Sequence, residues 1–330
     1  MGGQQNRQNI KILSIGAAVQ DVYLQGKIFT PCKEHKEFVE EFQLGSKNDI
    51  DGVVFSTGGG ATNAAVTFAR QGLHSMYMGK LGNDLPGRTV IDDLHKDGVD
   101  TSLVSYLKEV CTGYSCLLLA PNGERTILTF RGASAHIDIH QSDFHDIDCD
   151  WIFLTSMAGN FEALKVIFDY AENHNIKIAM NPGKDELLKP EKLKSLLPRL
   201  TILSLNKEEM SLLYKADNIK DLVLRANQDV HYVIVTDGQN GAVAADRWHI
   251  VSAGMYKDVK VIDRTGAGDA FSSGFTAMIA AGESLEDAII FGSANSTSVV
   301  QSIGAKSGIL DINTLINEMP LEVKEISSLC

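Results

Sequence analysis

A run of small residues that ends in a carboxylate, Thr265-Gly266-Ala267-Gly268-Asp269, is the stretch of the sequence best suited to chemistry. It lies between the apolar pair Val261-Ile262 and an apolar segment, 270–278, a pattern that predicts strand, tight turn and helix. The small side chains would let backbone N–H groups converge on an anion at the helix N-terminus. Asp269 could then accept a proton from a hydroxyl beside a phosphoryl group. The motif alone fits equally well a plain turn in which Asp269 caps the helix.

The composition restricts the class of protein. The chain has 330 residues, 44% of them hydrophobic and 22% charged, which suits one large domain with a smaller appendage. A formal net charge of -12 argues against binding to nucleic acid or a membrane surface, since both require a basic face. The five cysteines show no metal-site spacing, and neither a signal peptide nor an apolar run of ~18 residues is found. We therefore expect a soluble, cytoplasmic protein.

Predicted strands and helices, which must position the turn, alternate along most of the chain. Such alternation indicates βαβ units and therefore a doubly wound, mostly parallel central sheet flanked by helices. The predicted strands are 11–16, 76–79, 151–155, 176–181, 201–205 and 232–236, and the predicted helices are 61–71, 84–97, 161–173, 190–197 and 207–214.

Two segments depart from this alternation. Residues 22–55 mix short apolar-alternating pieces with charges, and residues 109–131 suggest a hairpin around Asn122-Gly123. We expect the two segments to pair as a small β-strand lid. A small sheet exposes apolar area and strand edges, which favours a homodimer formed through the lid. The remaining residues, expected to form the α/β domain that binds nucleotide and substrate, are 1–21, 56–108 and 132–330.

Polar residues follow several predicted strands at their carboxyl ends, where open α/β sheets bind ligands. Asn206 and Glu209 span one helical turn. They form either a helix capping box or a site in which Asn206 faces phosphates and Glu209 orients water around Mg²⁺. The segment Thr236-Asp237-Gly238-Gln239-Asn240-Gly241 is either a plain turn or a platform for the phosphates or ribose of a nucleotide.

A second glycine-rich stretch, Gly58-Gly59-Gly60, precedes a predicted helix that contains Asn63. The glycines permit close approach of a polyol, and Asn63 with Asp21 offers a donor and an acceptor to paired hydroxyls. The sequence contains no G-x-x-x-x-G-K-[ST] motif and no dinucleotide fingerprint, so neither a P-loop enzyme nor an NAD-dependent oxidoreductase is favoured.

Two motifs carry a resemblance to a known family. Gly59-Gly60-Ala61-Thr62-Asn63-Ala64-Ala65, with Gly72 and Gly82 at matching distances, is similar to the N-terminal signature of the ribokinase-like (phosphofructokinase-B type) sugar and nucleoside kinases. Asp263-Arg264-Thr265-Gly266-Ala267-Gly268-Asp269 is similar to its C-terminal D-T-x-G-A-G-D signature. The resemblance extends from Ile12 to about Ser307.

The resemblance implies ATP- and Mg²⁺-dependent transfer of the γ-phosphoryl group to a hydroxymethyl of a sugar, with Asp269 as the base. The alternatives are a nucleoside kinase of the same family and a non-catalytic sugar or nucleotide sensor on the same fold. The other implied roles are an anion hole at Gly266, Ala267 and Gly268; Mg²⁺ and phosphate contacts at Asn206 and Glu209; nucleotide contacts at Thr236, Gly238, Gly241 and Asn295; sugar contacts at Asp21, Gly59, Gly60 and Asn63; and a monovalent cation such as K⁺ at Asp263.

The sequence also departs from the family pattern. Arg264 stands where the family usually has a small residue or threonine, and it either forms a surface salt bridge or contacts a substrate or phosphate charge. Arg131 is a comparable candidate for contact with an anionic substrate. Val19 and the segment Ser156-Met157-Ala158 replace polar and acidic residues that ribokinases use around the sugar. The acceptor therefore stays open among ribose, fructose, a phosphorylated sugar, a keto-deoxy acid and adenosine.

Overall fold

The computed structural model describes residues 7–34, 37–121 and 124–329. The strands, numbered in chain order, are β1 Lys11–Ile15, β2 Val19–Gln25, β3 Cys32–Glu34, β4 Glu37–Val39, β5 Gly52–Gly58, β6 His74–Met78, β7 Lys80–Gly82, β8 Ser105–Leu107, β9 Gly113–Leu119, β10 Arg125–Phe130, β11 Trp151–Leu154, β12 Lys177–Met180, β13 Ile202–Asn206, β14 Tyr232–Thr236, β15 Ala242–Ala245, β16 His249–Ala253 and β17 Leu321–Glu325. The α-helices are α1 Gly60–Arg70, α2 Leu85–Lys96, α3 Phe161–Asn173, α4 Lys184–Leu187, α5 Pro190–Lys194, α6 Lys207–Leu213, α7 Ile219–Ala226, α8 Ala267–Ala280 and α9 Leu285–Val299.

A nine-stranded sheet with the order β17-β16-β15-β14-β13-β12-β11-β1-β6 forms the centre of the fold. The pairs from β6 to β14 are parallel, which confirms the predicted mostly parallel sheet. The last three pairs are antiparallel, and these edge strands were not predicted. Strands β15 and β16 follow tight turns, and β17 alternates apolar and charged residues over only five positions, so none has an apolar period long enough to separate it from a loop.

Helices cover both faces of this sheet because successive strand residues point to opposite sides. Ile12 faces the core beneath α1, α8 and α9, whereas Leu13 faces the core beneath α3, α6 and α7. Phe68, Phe153 and Phe275 fill the first core and are almost fully buried. This arrangement confirms the doubly wound fold.

A second sheet of four strands has the order β10-β9-β2-β5 and is assembled from the two departing segments. Its strand β2 begins at Val19, directly after β1. Alternate residues of one face, among them Tyr23, Leu117 and Leu119, pack on Ile303 beside the main sheet. The turn predicted at Asn122-Gly123 lies outside the described residues, although β9 and β10 pair antiparallel as expected.

Two predicted elements differ from the structure. The strand expected at Val261-Ile262 does not form, because Ile262 N–H and Asp263 N–H donate to the Val300 carbonyl, at 2.7 and 3.2 Å. Those bonds tie the segment to the end of α9 and keep it out of the sheet. The helix predicted over 190–197 ends at Lys194, because Pro198 has no N–H to donate to the Lys194 carbonyl, and Leu197–Arg199 form a 3₁₀ turn instead.

Candidate active site

Helix α8 begins directly after the small-residue turn. Its N-cap, Gly266, has φ 79°, and a Cβ there would lie 2.4 Å from Ala305 Cβ. Only glycine combines this left-handed geometry with so close a neighbour. Ala267 and Gly268 follow in the first turn, where backbone N–H groups have no partner within the helix. Ala267 N–H makes only a long hydrogen bond, of 3.4 Å, to the Arg264 carbonyl, so the turn presents weakly paired amides and the positive end of the helix dipole at one point.

Asp269 occupies the third position of α8, beside these amides. Its Oδ2 accepts a hydrogen bond of 2.8 Å from Asn63 Nδ2 on α1. A Cβ on Gly60 would lie 3.2 Å from Asp269 Oδ1, so the glycine leaves that oxygen accessible. Burial raises the pKa of Asp269, and the hydrogen bond from Asn63 opposes this rise. The carboxylate is therefore more basic than an exposed aspartate, which suits proton abstraction from a hydroxyl.

Two buried oxygens beside Asp269 have no hydrogen-bond partner within the described part of the chain, namely Asn63 Oδ1 and Thr155 Oγ1. Thr155 lies against Gly60, whose Cβ would be 3.1 Å from Thr155 Cγ2. Buried polar atoms are seldom left unpaired, so Asn63 Oδ1 points to a polar ligand beside Asp269. Thr155 turns its methyl toward Gly60 and its hydroxyl toward Gly16, where a Cβ would lie 2.1 Å from Oγ1. Sequence reasoning did not select Thr155, although its position after β11 at the ligand-binding edge was a usable signal.

Asp21 lies on β2 and is buried. The glycine at 58 makes room for it, because a Cβ there would be 2.1 Å from Asp21 Oδ2. Burial raises the pKa of Asp21 to about 6, although Ser115 and the Lys306 ammonium lower it. Gly59, with φ 100°, passes so close to Ala17 that a Cβ would lie 2.3 Å from its carbonyl oxygen.

Lys306 is a second residue that sequence reasoning did not select. It is buried, its Nζ donates to Thr57 Oγ1 at 2.7 Å, and it lies 3.7 Å from Asp93 Oδ2. Burial lowers the pKa of Lys306 to about 8, whereas Asp93 and Asp21 raise it. Lys306 thus supplies positive charge behind Asp21, from a loop far along the chain.

A cleft of ≈ 350 Å³ opens on the other side of the turn. Glycines and small polar residues line one part of it, and apolar side chains the other, which suits phosphates and a flat ring respectively. The lining residues include Asn206, Thr236, Gly238, Gly241, Val261, Arg264, Ala267, Gly268, Phe271 and Val300.

The capping box at the start of α6 is formed. Asn206 Oδ1 accepts from Glu209 N–H at 2.8 Å, and Glu209 Oε2 accepts from Asn206 N–H at 3.0 Å. Asn206 also lines the cleft, so it can cap the helix and face a ligand at the same time. Burial raises the pKa of Glu209, and the nearby charges of Glu208 and Asp269 add to the rise.

The Thr236–Gly241 turn also combines two roles. It joins β14 to β15 as a tight turn, with φ 53° at Gly238 and 89° at Gly241. Both glycines and Thr236 line the cleft. The left-handed backbone is the reason that glycine stands at both positions.

Asn295 is a correction to the predicted nucleotide contacts. It is fully buried within α9, where Nδ2 donates to the Ala270 carbonyl at 2.8 Å and Oδ1 accepts from Leu310 N–H at 2.9 Å. These bonds hold the side chain behind the cleft. Ser296 and Thr297 line the cleft in its place.

The two arginines lie in different surroundings. Arg131 is exposed, with Nη1 3.2 Å from Asp185 Oδ2, and it lines none of the cleft. Arg264 lines the cleft and also lies 3.7 Å from Glu124 Oε1, so its two alternatives, ion pair and cleft contact, are compatible.

Asp263 is buried in the loop before α8. Its Oδ1 accepts from Thr265 N–H at 2.9 Å and from Thr265 Oγ1 at 2.7 Å, and its Oδ2 accepts from Gly304 N–H at 3.2 Å. Arg125 Nε lies 3.9 Å from Oδ1. Over the described ranges, no three His, Cys, Asp or Glu residues are grouped as a metal site, and no helix has the length and apolarity required to cross a membrane.

Comparison with known proteins agrees with this geometry. Residues 29–312 match the pfkB family of carbohydrate kinases. The chain is 27% identical to the ribokinase of Schizosaccharomyces pombe over 319 residues, 91% of this chain and 95% of that protein. It is 26% identical to probable fructokinase-5 of Arabidopsis thaliana over 72% of this chain and 78% of the relative. The crystal structure of ribokinase from Thermotoga maritima superposes with a TM-score of 0.72 at 22% identity, covering 92% and 96% of the two chains.

Fold and site thus define a kinase of small molecules with a doubly wound sheet. The chain belongs to the PfkB family of carbohydrate kinases, as an ATP-dependent enzyme of the ribokinase and fructokinase group.

Proposed function

We propose that the protein transfers the γ-phosphoryl group of ATP to a hydroxymethyl of a free sugar, with Asp269 as the general base. One observation carries the proposal. Ala267 and Gly268 line the cleft, whereas the next residue, Asp269, contacts Asn63, whose buried Oδ1 has no hydrogen-bond partner among the described residues. The amides and the base therefore lie where a nucleotide on one side would meet a hydroxyl on the other.

The reaction is a direct in-line transfer. The acceptor hydroxyl gives its proton to Asp269, its oxygen bonds to the γ-phosphorus, and the bond from that phosphorus to the β–γ bridging oxygen breaks to release ADP. The amides of Gly266, Ala267 and Gly268 stabilise the charge on the transferring group. On the acceptor side, Asp21, Gly59, Gly60 and Asn63 would hold the sugar hydroxyls.

The residues at the start of α6 fit Mg²⁺ in the manner usual for phosphoryl transfer. Mg²⁺ keeps several waters and takes one or two carboxylates together with substrate phosphates, so no dedicated cluster is required. Glu209 offers a half-buried carboxylate and Asn206 an amide at the cleft. When bound, the ion would neutralise phosphate charge. Thr236, Gly238 and Gly241 would contact the nucleotide.

The four-stranded sheet supports a proposal for a lid. Segments 22–55 and 109–131 would close over the acceptor and exclude water, which would otherwise compete as the nucleophile. Tyr23 and Leu117 are fully buried and pack with Val54 and Ile303, and Tyr23 lies on the same strand as Asp21, which supports placing the lid over the acceptor.

The test is release of ADP from Mg-ATP across ribose, fructose, fructose 6-phosphate, a keto-deoxy sugar acid and adenosine. We expect one free sugar to exceed the others in kcat/KM. Adenosine as the preferred acceptor would instead identify a nucleoside kinase. Absence of turnover with every acceptor, combined with ATP binding in calorimetry, would support a sensor and contradict the proposed reaction.

Sugar binding should weaken at acid pH because of Asp21. Its pKa is raised to about 6, so the carboxylate that accepts hydrogen bonds from sugar hydroxyls gains a proton as the pH falls through that value. The apparent dissociation constant should then rise about tenfold per pH unit below the pKa. Calorimetry of sugar binding between pH 5 and 8 measures this, and Asp21→Asn should bind weakly with no such pH dependence.

The folding stability depends on pH in the opposite direction to sugar binding. Since the folded chain binds this proton more tightly than the unfolded chain, stability falls as pH rises between about 4 and 6. A dissociation constant that is flat in pH for the native protein would remove Asp21 from the sugar site.

The outer face of the four-stranded sheet supports a homodimer. Val53, Phe55, Leu128 and Phe130 are exposed there, and Phe55 has 72% of its surface accessible. A patch of this kind is a usual site of association. We expect sedimentation to give a dimer, and Phe55→Lys to give a monomer. Leu315→Lys, at an isolated leucine with 96% exposure, is the control that should leave the mass unchanged. A monomeric native protein would contradict the dimer.

A further inference from the structure

Two ion pairs connect the start of β10 to the loop before α8, and their charges are reversed: an arginine of one segment pairs with an acid of the other in each direction. Arg125 Nε lies 3.9 Å from Asp263 Oδ1, and Glu124 Oε1 lies 3.7 Å from Arg264 Nη1. Glu124 and Arg125, adjacent in sequence, thus pair with Arg264 and Asp263, which are also adjacent, and the charges alternate in sign. This arrangement places the Arg125 guanidinium beside Asp263.

The Asp263 carboxylate has little capacity left for another ligand. It is 1% exposed, and three hydrogen bonds from Thr265 and Gly304 use most of its roughly four acceptor positions. Arg125 Nε is itself buried, and it makes no hydrogen bond within the described residues. A protein group, the Arg125 guanidinium, thus lies beside the carboxylate.

A monovalent cation does not fit beside Asp263. It would lie close to the guanidinium, where two positive charges repel, and it would compete with hydrogen bonds that the carboxylate already accepts. The family resemblance implies a monovalent cation at Asp263, but the residues present do not fit one there, because Arg125, a lid residue distant in sequence, lies 3.9 Å from the carboxylate.

We infer that Arg125 takes the place of a monovalent cation, so that this kinase works without K⁺. Asp263 holds Thr265 by two hydrogen bonds, and Thr265 directly precedes Gly266. The Arg125 guanidinium attracts the Asp263 carboxylate, and this charge pair supports the loop that presents the amides. Arg125 is a positioning residue, since it does not line the cleft beside the turn.

The activity test rests on the proposed function. We expect the native enzyme to give the same kcat/KM in KCl and in choline chloride of equal ionic strength. In choline chloride, Arg125→Met should have a kcat/KM roughly 10–100-fold lower than the native enzyme, the usual loss when a residue that supports a ligand-binding group is removed. It should regain activity in KCl. Arg125→Lys should stay independent of K⁺. Arg88→Met, at an exposed arginine on α2, should behave as the native enzyme.

A binding test stands apart from turnover. Titration of the native protein with KCl by calorimetry should give no heat of site binding, and its melting temperature should be equal in the two salts. Binding of K⁺ to the native protein, or stimulation of its turnover by KCl, would overturn the inference while leaving the kinase proposal intact. Full activity of Arg125→Met in both salts would also overturn it. If no acceptor is phosphorylated, the proposed function fails and calorimetry still decides the cation question.

Discussion

Asp269→Asn is expected to lower kcat by a factor of roughly 10²–10⁴, the usual loss when a general base is removed. The amide keeps the size of the side chain and can still accept from Asn63 Nδ2, whose hydrogen bond to Asp269 is 2.8 Å long. It cannot take the proton of the acceptor hydroxyl. Steady-state assays with the preferred sugar, with ATP affinity measured separately, should show a loss in kcat and little change in nucleotide binding.

The control for this variant is Asp287→Asn. Asp287 occupies the same third position in the first turn of α9, where it is exposed and its N–H donates to the N-cap Ser284. Both substitutions remove a carboxylate that favours the helix dipole, worth about 0.3–1 kcal/mol of stability. Of the two carboxylates, only Asp269 contacts Asn63 on α1. Turnover near the native rate in Asp269→Asn would exclude it as the base.

Gly266→Ala should have an effect of similar size. The residue has φ 79°, and its Cβ would meet Ala305 Cβ at 2.4 Å, so the turn must shift to accept the methyl group. That shift moves the amides of Gly266 and Ala267 away from the transferring phosphoryl group. Loss of one such donor lowers kcat by about 10²–10³. Comparison of kcat with the free energy of unfolding in urea would measure both consequences.

Gly98→Ala is the control for Gly266→Ala, because it separates the effect of backbone strain from the effect on catalysis. Gly98 follows α2 with φ 74°, and a Cβ there would contact nothing within 4 Å. The two variants share the left-handed penalty of about 1–2 kcal/mol. Gly98→Ala should therefore lose stability and keep its activity. If Gly266→Ala retains native kcat despite lower stability, the turn is not the anion site.

Sequence by itself determined the features that depend on neighbouring residues. The Gly-Ala-Gly-Asp turn, the Asn206–Glu209 capping box and the left-handed glycines of the Thr236–Gly241 turn follow from backbone geometry and side-chain hydrogen bonds over a few positions. The alternation of strands and helices follows from apolar periodicity, which reports which face of each element is buried. These local signals were sufficient for the fold class and for the glycines and polar residues of the cleft, but not for apolar lining residues such as Val261, Phe271 and Val300.

Tertiary structure alone decided the features that join distant parts of the chain. Asn295 is predicted at the nucleotide but hydrogen-bonds to Ala270 and Leu310, because the packing of α9 on α8 buries it. Lys306 reaches Thr57 across 249 residues, and Arg125 reaches Asp263 from the edge of another sheet. Charge pairs of this kind have no period or spacing in the sequence, since they depend on how whole sheets and helices are placed.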